Sequence, residues 1–280
     1  MSSSSYPDLD LSDLLPGDFG LTLGRSQISK LIAWAGDSLY SHAFLVYDTS
    51  QLIEAAPAGV RMVPIAERLR EPSLLLFDVY RPSSASGESY NAVEVRAMQI
   101  KAREFLGRGY PLNELLQLGL MCALRNKIPQ SEPLRWILRI AMDALIRDDS
   151  RQMMCSELIY RILRDAESSP NVLTPTIINP TRSHAAMPPI DFAELLREIE
   201  ALFPKSDAVE NAAIHAAYQD KQIPSVAELD AKAQLIRAKF AAPTPTAGAF
   251  VVPNPNPKTI LPSDLERSPS VRFLARVRRA

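Results

Sequence analysis

An α+β fold is expected from two observations. Residues 14 to about 84 carry short apolar runs separated by turn residues, and later stretches carry apolar side chains at helical spacing. The runs Phe19 to Leu23, His42 to Tyr47, Gln51 to Ala55, Val60 to Ile65 and Leu74 to Tyr80 read as strands, being rich in β-branched and aromatic residues. Between the first two, Ile28, Leu31, Ile32 and Ala35 share one face of a helix over 26–35, with Gly36 as its stop. Asp48-Thr49-Ser50 is the turn of a hairpin, which a three-residue loop at 47–49 registers with Val46 opposite Ser50 and His42 opposite Glu54. A second helix over 89–106 follows from Val93, Ala97, Ile100 and Phe105 and ends at Gly107-Arg108-Gly109.

Beyond Tyr110 the chain changes character. Residues 111–147 form an apolar and basic stretch, expected to be two helices around the Pro129 to Pro133 break. A helix over 156–166 and an amphipathic piece over 191–202 come next. The organisation expected is an arm over 1–13, one domain over 14–205 with a helical insertion at 111–147, and a helical extension over 206–241. A Pro-rich tail over 242–280 is expected to run extended.

Bulk properties exclude several classes of function. The 280 residues balance 31 basic against 32 acidic side chains for a net charge of -1, so nothing points to nucleic acid as a partner. No apolar run reaches 18 residues, and the first residues lack the basic and apolar regions of a secretory signal, so synthesis is expected to end in the cytoplasm. Two cysteines, Cys122 and Cys155, are too few for a disulfide framework. His184 and His215 are isolated and no HExxH or CxxC spacing exists, so neither metal nor other cofactor is expected.

Cys155 opens a helix. A thiol there meets the positive end of the helix dipole and free N–H groups, which lower its pKa and stabilise a neighbouring oxyanion. The alternative is a packed thiol on the face of Leu158, Ile159 and Ile162, as Cys122 is expected to be in its own apolar helix. His42 and Glu54, facing each other across the hairpin, have the spacing of a base and the carboxylate that orients it, or of a core histidine beside a solvated Glu. Tyr40, just before Ser41-His42, either reaches the cleft as a substrate or oxyanion donor or packs as an ordinary tyrosine. Ser156 is the other weak candidate for that role.

The order of several motifs resembles a known family. Leu15-Pro16-Gly17-Asp18, Ser26 to Lys30, Tyr40-Ser41-His42, Ile53-Glu54-Ala55, the helix leading to Gly107-Arg108-Gly109-Tyr110, and Met154-Cys155-Ser156-Glu157-Leu158 resemble the YiiX-like branch of the circularly permuted NlpC-type hydrolases. The similarity covers roughly residues 14 to 166. It implies a permuted papain-like core, with an antiparallel sheet packed on the helix that carries the cysteine. It also implies Cys155 as nucleophile, His42 as base and Glu54 as orienter, in the permuted order. Peptidoglycan stem peptides are the substrate so implied. Lecithin:retinol acyltransferase-like enzymes, to which this branch is related, imply a membrane phospholipid ester instead, with segment 111–147 at the bilayer. A binding module that kept the fold and lost turnover is the third reading. The lack of a signal peptide implies either that the enzyme acts inside the cell or that a signal-independent secretion apparatus delivers it, as for antibacterial toxins, with an immunity protein as a further partner.

Overall fold

The computed structural model describes residues 9–35, 38–84, 89–111, 151–166 and 251–277, with parts of 172–201. In chain order the elements are β1 (Phe19–Gly24), α1 (Gln27–Ala35), β2 (His42–Val46), β3 (Gln51–Ala56), β4 (Gly59–Pro64), α2 (Ile65–Arg70), β5 (Leu74–Pro82) and α3 (Ala92–Phe105). They continue with α4 (Cys155–Asp165), α5 (Pro262–Glu266) and β6 (Val271–Arg276). The expected α+β class is observed: six strands form one antiparallel sheet in the order β4-β3-β2-β1-β5-β6, with helices packed on it.

Strand alternation gives the sheet two apolar faces. On one, Phe19, Leu21, Ala43, Leu45, Ile53 and Ala55 meet Met98, Ala102 and Phe105 of α3 and Leu158, Ile159 and Ile162 of α4. On the other, Phe44, Val46, Leu52, Phe77 and Val79 gather with Leu14 and Val277. Gly20 is set by this second layer. A Cβ there would lie 2.2 Å from the Phe44 ring and 2.5 Å from that of Phe77, whose centroids approach to 4.9 Å edge to face.

The hairpin register differs from expectation by two residues. Phe44 pairs with Glu54 and Val46 with Leu52, because the turn occupies 48–50: the Asp48 carboxylate accepts from the N–H groups of Ser50 and Gln51, both at 2.8 Å. A slip of two keeps every side chain on its face, so Glu54 still lies on the side of His42, now as a diagonal neighbour. The stretch Val60 to Ile65 ends earlier than expected, at Pro64, and residues 65–70 form a helix that periodicity over so few residues did not reveal.

The expectation of an extended tail over 242–280 needs correction. Residues 251–277 are built into the domain. Strand β6 pairs with β5 from Asp78↔Arg276 to Pro82↔Val271, and Arg276 holds the buried Asp78 at 2.6 and 2.7 Å. Ile260, Leu261 and Leu265 are buried against the α3–α4 side of the core or beside it. The prolines that ended a helix pattern instead shape turns, with Pro257 and Pro262 opening a 3-10 turn and α5. The arm expected at 1–13 is likewise partly ordered, as residues 11–13 form a 3-10 turn leading to fully buried Leu14. The insertion expected at 111–147, apart from Pro111, the extension at 206–241 and Cys122 lie outside the described residues.

Because Leu265 is fully buried, Leu265→Ala is expected to lower stability by about 2–5 kcal/mol, the usual cost of a truncated core leucine. Urea unfolding of the full chain measures this, and a change within about 0.5 kcal/mol, the scale of a surface substitution, would contradict the seating of this segment.

Candidate active site

Pairing between β2 and β3 ends at Phe44↔Glu54, whereas β3 stays paired with β4 as far as Ala56↔Gly59. The first turn of α4 enters where the two strands part. Cys155 is the first residue of that helix, and its thiol takes hydrogen bonds from the backbone N–H groups of Ala43, freed from the ladder, and of Ser156. Burial alone would push the thiol up. The charge and hydrogen bond of His42, with the two N–H groups, outweigh burial and hold Cys155 below the ordinary thiol value.

The other ring nitrogen of His42 serves the carboxylate. His42 Nε2 lies 3.0 Å from Glu54 Oε2, which leaves Nδ1 as the nitrogen that serves the thiol. Glu54 is fully buried and bound by more than the histidine. Arg61, opposite it in β4, donates from Nε at 3.1 Å and Nη2 at 2.9 Å, and Arg68 of α2 donates from Nη2 to the second oxygen. Arg68 also pairs with Glu71 and stands 3.3 Å from His42 Nε2. Direct hydrogen bonds from His42, Arg61 and Arg68 replace the solvation that this buried carboxylate loses to the interior.

The third wall is made by residues 107–110. Gly59, with φ of +93°, turns tightly enough for Val60 N–H to reach the Arg108 carbonyl at 2.8 Å, and a Cβ at Gly59 would stand 2.6 Å from that oxygen. Gly109 then bridges to Gln152 just ahead of Cys155, which brings Tyr110 beside the thiol. Burial, and secondarily the charge of Cys155, push the Tyr110 phenol well above its usual value, so it remains a hydroxyl.

The α4 start is held from below. Glu157 accepts from Met154 N–H at 3.0 Å and Arg161 Nε at 2.8 Å, and its second oxygen lies 3.5 Å from Lys258 Nζ. Lys258, nearly fully buried, also donates to the Gln152 carbonyl, while Ser156 Oγ, only 1% exposed as a residue, donates to the Ile260 carbonyl at 2.5 Å. Burial pushes the Glu157 carboxyl up against the pull of these partners.

Cys155, His42 and Glu54 are thus brought together as the sequence suggested. For Tyr40 the packed reading holds and the cleft reading is corrected: its hydroxyl is 2.7 Å from Asp78 and 2.8 Å from the Tyr80 hydroxyl, in the interior. Ser156 is half a correction: its hydroxyl is spent on Ile260, and only its N–H reaches the site. Arg61, Arg68 and Tyr110 were not singled out. The two-residue turn Pro57-Ala58 was the signal for Arg61, since it registers Arg61 against Glu54. Arg68 lies on the helix missed in the sequence.

A cleft of about 610 Å³ opens beside His42, lined by Arg25, Ser29, Ser41, Arg61, Arg68 and Tyr110 among others. Among the described residues no cluster of three or more His, Cys, Asp or Glu side chains is arranged to hold a metal, and no helix is long and apolar enough to cross a membrane.

No protein-family model matches the chain, and no curated protein does. Among solved structures it is similar to that of metalloprotein yiiX from Escherichia coli O157:H7, DUF1105. Identity is 14% and the TM-score 0.44, over 93% of this chain and 96% of that one.

The depressed thiol makes two outcomes measurable. Iodoacetamide should alkylate Cys155 with a pH midpoint below that of a free thiol, since reactivity follows the thiolate, which forms above the pKa. His42→Ala removes the largest lowering cause, so the midpoint should move up and alkylation at neutral pH should slow at least about tenfold, one pKa unit being tenfold in thiolate. Mass mapping of the labelled peptide distinguishes Cys155 from Cys122, and an unmoved midpoint would dissociate His42 from the thiol.

Proposed function

We propose that this chain is a cysteine hydrolase that cleaves an acyl bond through a thioester on Cys155. The observation that carries the reading is the continuous chain from thiol to imidazole to buried carboxylate, with the thiol at the first turn of a helix. Any one of these residues has a structural explanation; the ordered relay among them is what acyl transfer requires.

His42 takes the thiol proton at Nδ1, and the sulfur attacks the carbonyl carbon. The N–H groups of the first turn of α4, which have no intrahelical acceptor, face the developing oxyanion. The imidazolium, oriented by Glu54, then gives its proton to the departing amine or alcohol as the bond to the acyl carbon breaks. Water, deprotonated by the same imidazole, releases the acid and restores the thiol.

The substrate class is the peptide amide of cell-wall stem peptides, following the resemblance to permuted NlpC-type hydrolases. The arginines, serines and Tyr110 of the cleft offer hydrogen-bonding groups to a peptide, beside an apolar share from Ile28, Ile32, Val63 and Leu74. The phospholipid ester reading follows from the relation to lecithin:retinol acyltransferase-like enzymes and from the apolar and basic stretch 111–147, and remains the second reading.

Incubation of the purified chain with peptidoglycan fragments and with phospholipid vesicles, followed by mass spectrometry of products, tests the assignment. Cleaved stem peptides are expected, with Cys155→Ala inactive and His42→Ala reduced by roughly 10³-fold or more. Glu54→Gln is expected to cost roughly 10²–10⁴-fold, because it leaves Arg61 and Arg68 beside a forming imidazolium without their counter-charge. Full activity in His42→Ala would sink the relay, and release of fatty acid alone would reassign the substrate.

A further inference from the structure

The charged groups lining the cleft beside His42 are four arginines, Arg25, Arg61, Arg68 and Arg70, and two carboxylates, Glu67 and Glu71. Arg61 and Arg68 are engaged by Glu54, which they approach from opposite sides, and Glu71 is engaged by Arg68 and by the Ser73 hydroxyl. Arg25 and Arg70 are different. Neither side chain makes an ion pair or hydrogen bond among the described residues, although both lie on the cleft wall and are exposed.

Their place on one cleft wall is set by the backbone. Arg25 N–H bonds the Ser73 carbonyl at 3.0 Å, which ties the end of β1 to the loop that follows α2, and Arg70 is the last residue of α2. The strand-to-helix turn at 25–26 and the end of α2 are therefore fixed against each other. The N–H groups at the start of α1 are not available to share an incoming anion, because Gln27 and Ile28 donate to the Glu198 carboxylate at 2.8 and 3.0 Å.

We infer that Arg25 and Arg70 form a subsite for an anionic group of the substrate, a carboxylate or a phosphate, held in the cleft while the scissile carbonyl lies over Cys155. This deepens the hydrolase reading and rests on it for the position of the carbonyl. A planar guanidinium matches either oxyanion through paired N–H donors, and two of them around one anion discriminate against a neutral analogue by more than exposed charge alone. The two sources of such an anion, a peptide carboxylate and a lipid phosphate, share this recognition.

Two measurements on the full chain test the subsite separately from the chemistry. First, the Cys155→Ala protein is titrated with inorganic phosphate and with acetylglycine by calorimetry. Binding is expected for at least one of them, weakened about tenfold or more in the added Arg25→Gln/Arg70→Gln pair, the scale of a lost charge-assisted hydrogen bond. Phosphate alone assigns the lipid source, and acetylglycine alone the peptide source. Second, kcat/KM is compared for peptides ending in a free carboxylate or an amide, and for diacylglycerophosphate against diacylglycerol. The anionic-to-neutral ratio should fall about tenfold or more in R25Q/R70Q, recover in part in R25K/R70K, and stay unchanged in the control K101Q on the outer side of α3. Turnover without arginine-dependent binding or preference would overturn the subsite and leave the hydrolase standing. Arginine-dependent binding without turnover of any substrate would do the reverse.

Discussion

The parting of β2 from β3 is the constraint on which the site depends. A continuous ladder would have paired the Ala43 N–H with β3 and closed the space that the first turn of α4 occupies. Because pairing ends at Phe44↔Glu54, the N–H is free for sulfur, His42 stands at the open edge, and the helix can end against the sheet rather than beside it. The packing of α4 supplies the energy: Leu158, Ile159, Ile162 and Leu163 are all fully buried, and each such side chain contributes roughly 1.5–3 kcal/mol relative to exposure. The helix is thereby fixed in rotation, and its first residue has no choice of direction.

Two buried carboxylates then divide the work. Glu54 holds the His42 ring and is itself over-supplied with donors, from the strand β4 and the helix α2. Glu157 has no contact with the base. It joins Met154, Arg161 and Lys258 around the root of the same helix, so that the turn bearing the thiol is anchored by charge as well as by packing. Removing a single member of such a cluster strands a buried charge, whereas the intact cluster contributes definition of position more than net stability.

The juxtaposition of Cys155, His42 and Glu54 was largely legible in the sequence because local geometry encodes it. A helix start is visible from periodicity, and alternation in a hairpin survives a register error of two, which is why His42 and Glu54 could be placed on one face even with the turn set one residue early. What could not be read was long-range. Tyr40 was drawn toward the site by its neighbour His42, but its hydroxyl obeys Asp78 and Tyr80, 38 and 40 residues away. Arg68 sits on a six-residue helix too short for a period to register. The prolines after residue 250 read as an arm because proline forbids a helix interior, yet the same rule permits a first turn and a loop, the uses made of them here.

The clasp between Ser156 and Ile260 joins residues 104 apart, and that between Lys258 and Gln152 residues 106 apart. Closing loops of that length is paid for in chain entropy before any contact rewards it, and folds dominated by such pairings form slowly. During vectorial synthesis the cysteine helix leaves the ribosome long before its clasp exists. In the nascent chain the helix bearing Cys155 therefore precedes the residues that anchor its root, and that anchor is complete only once residues 258 and 260 have been made.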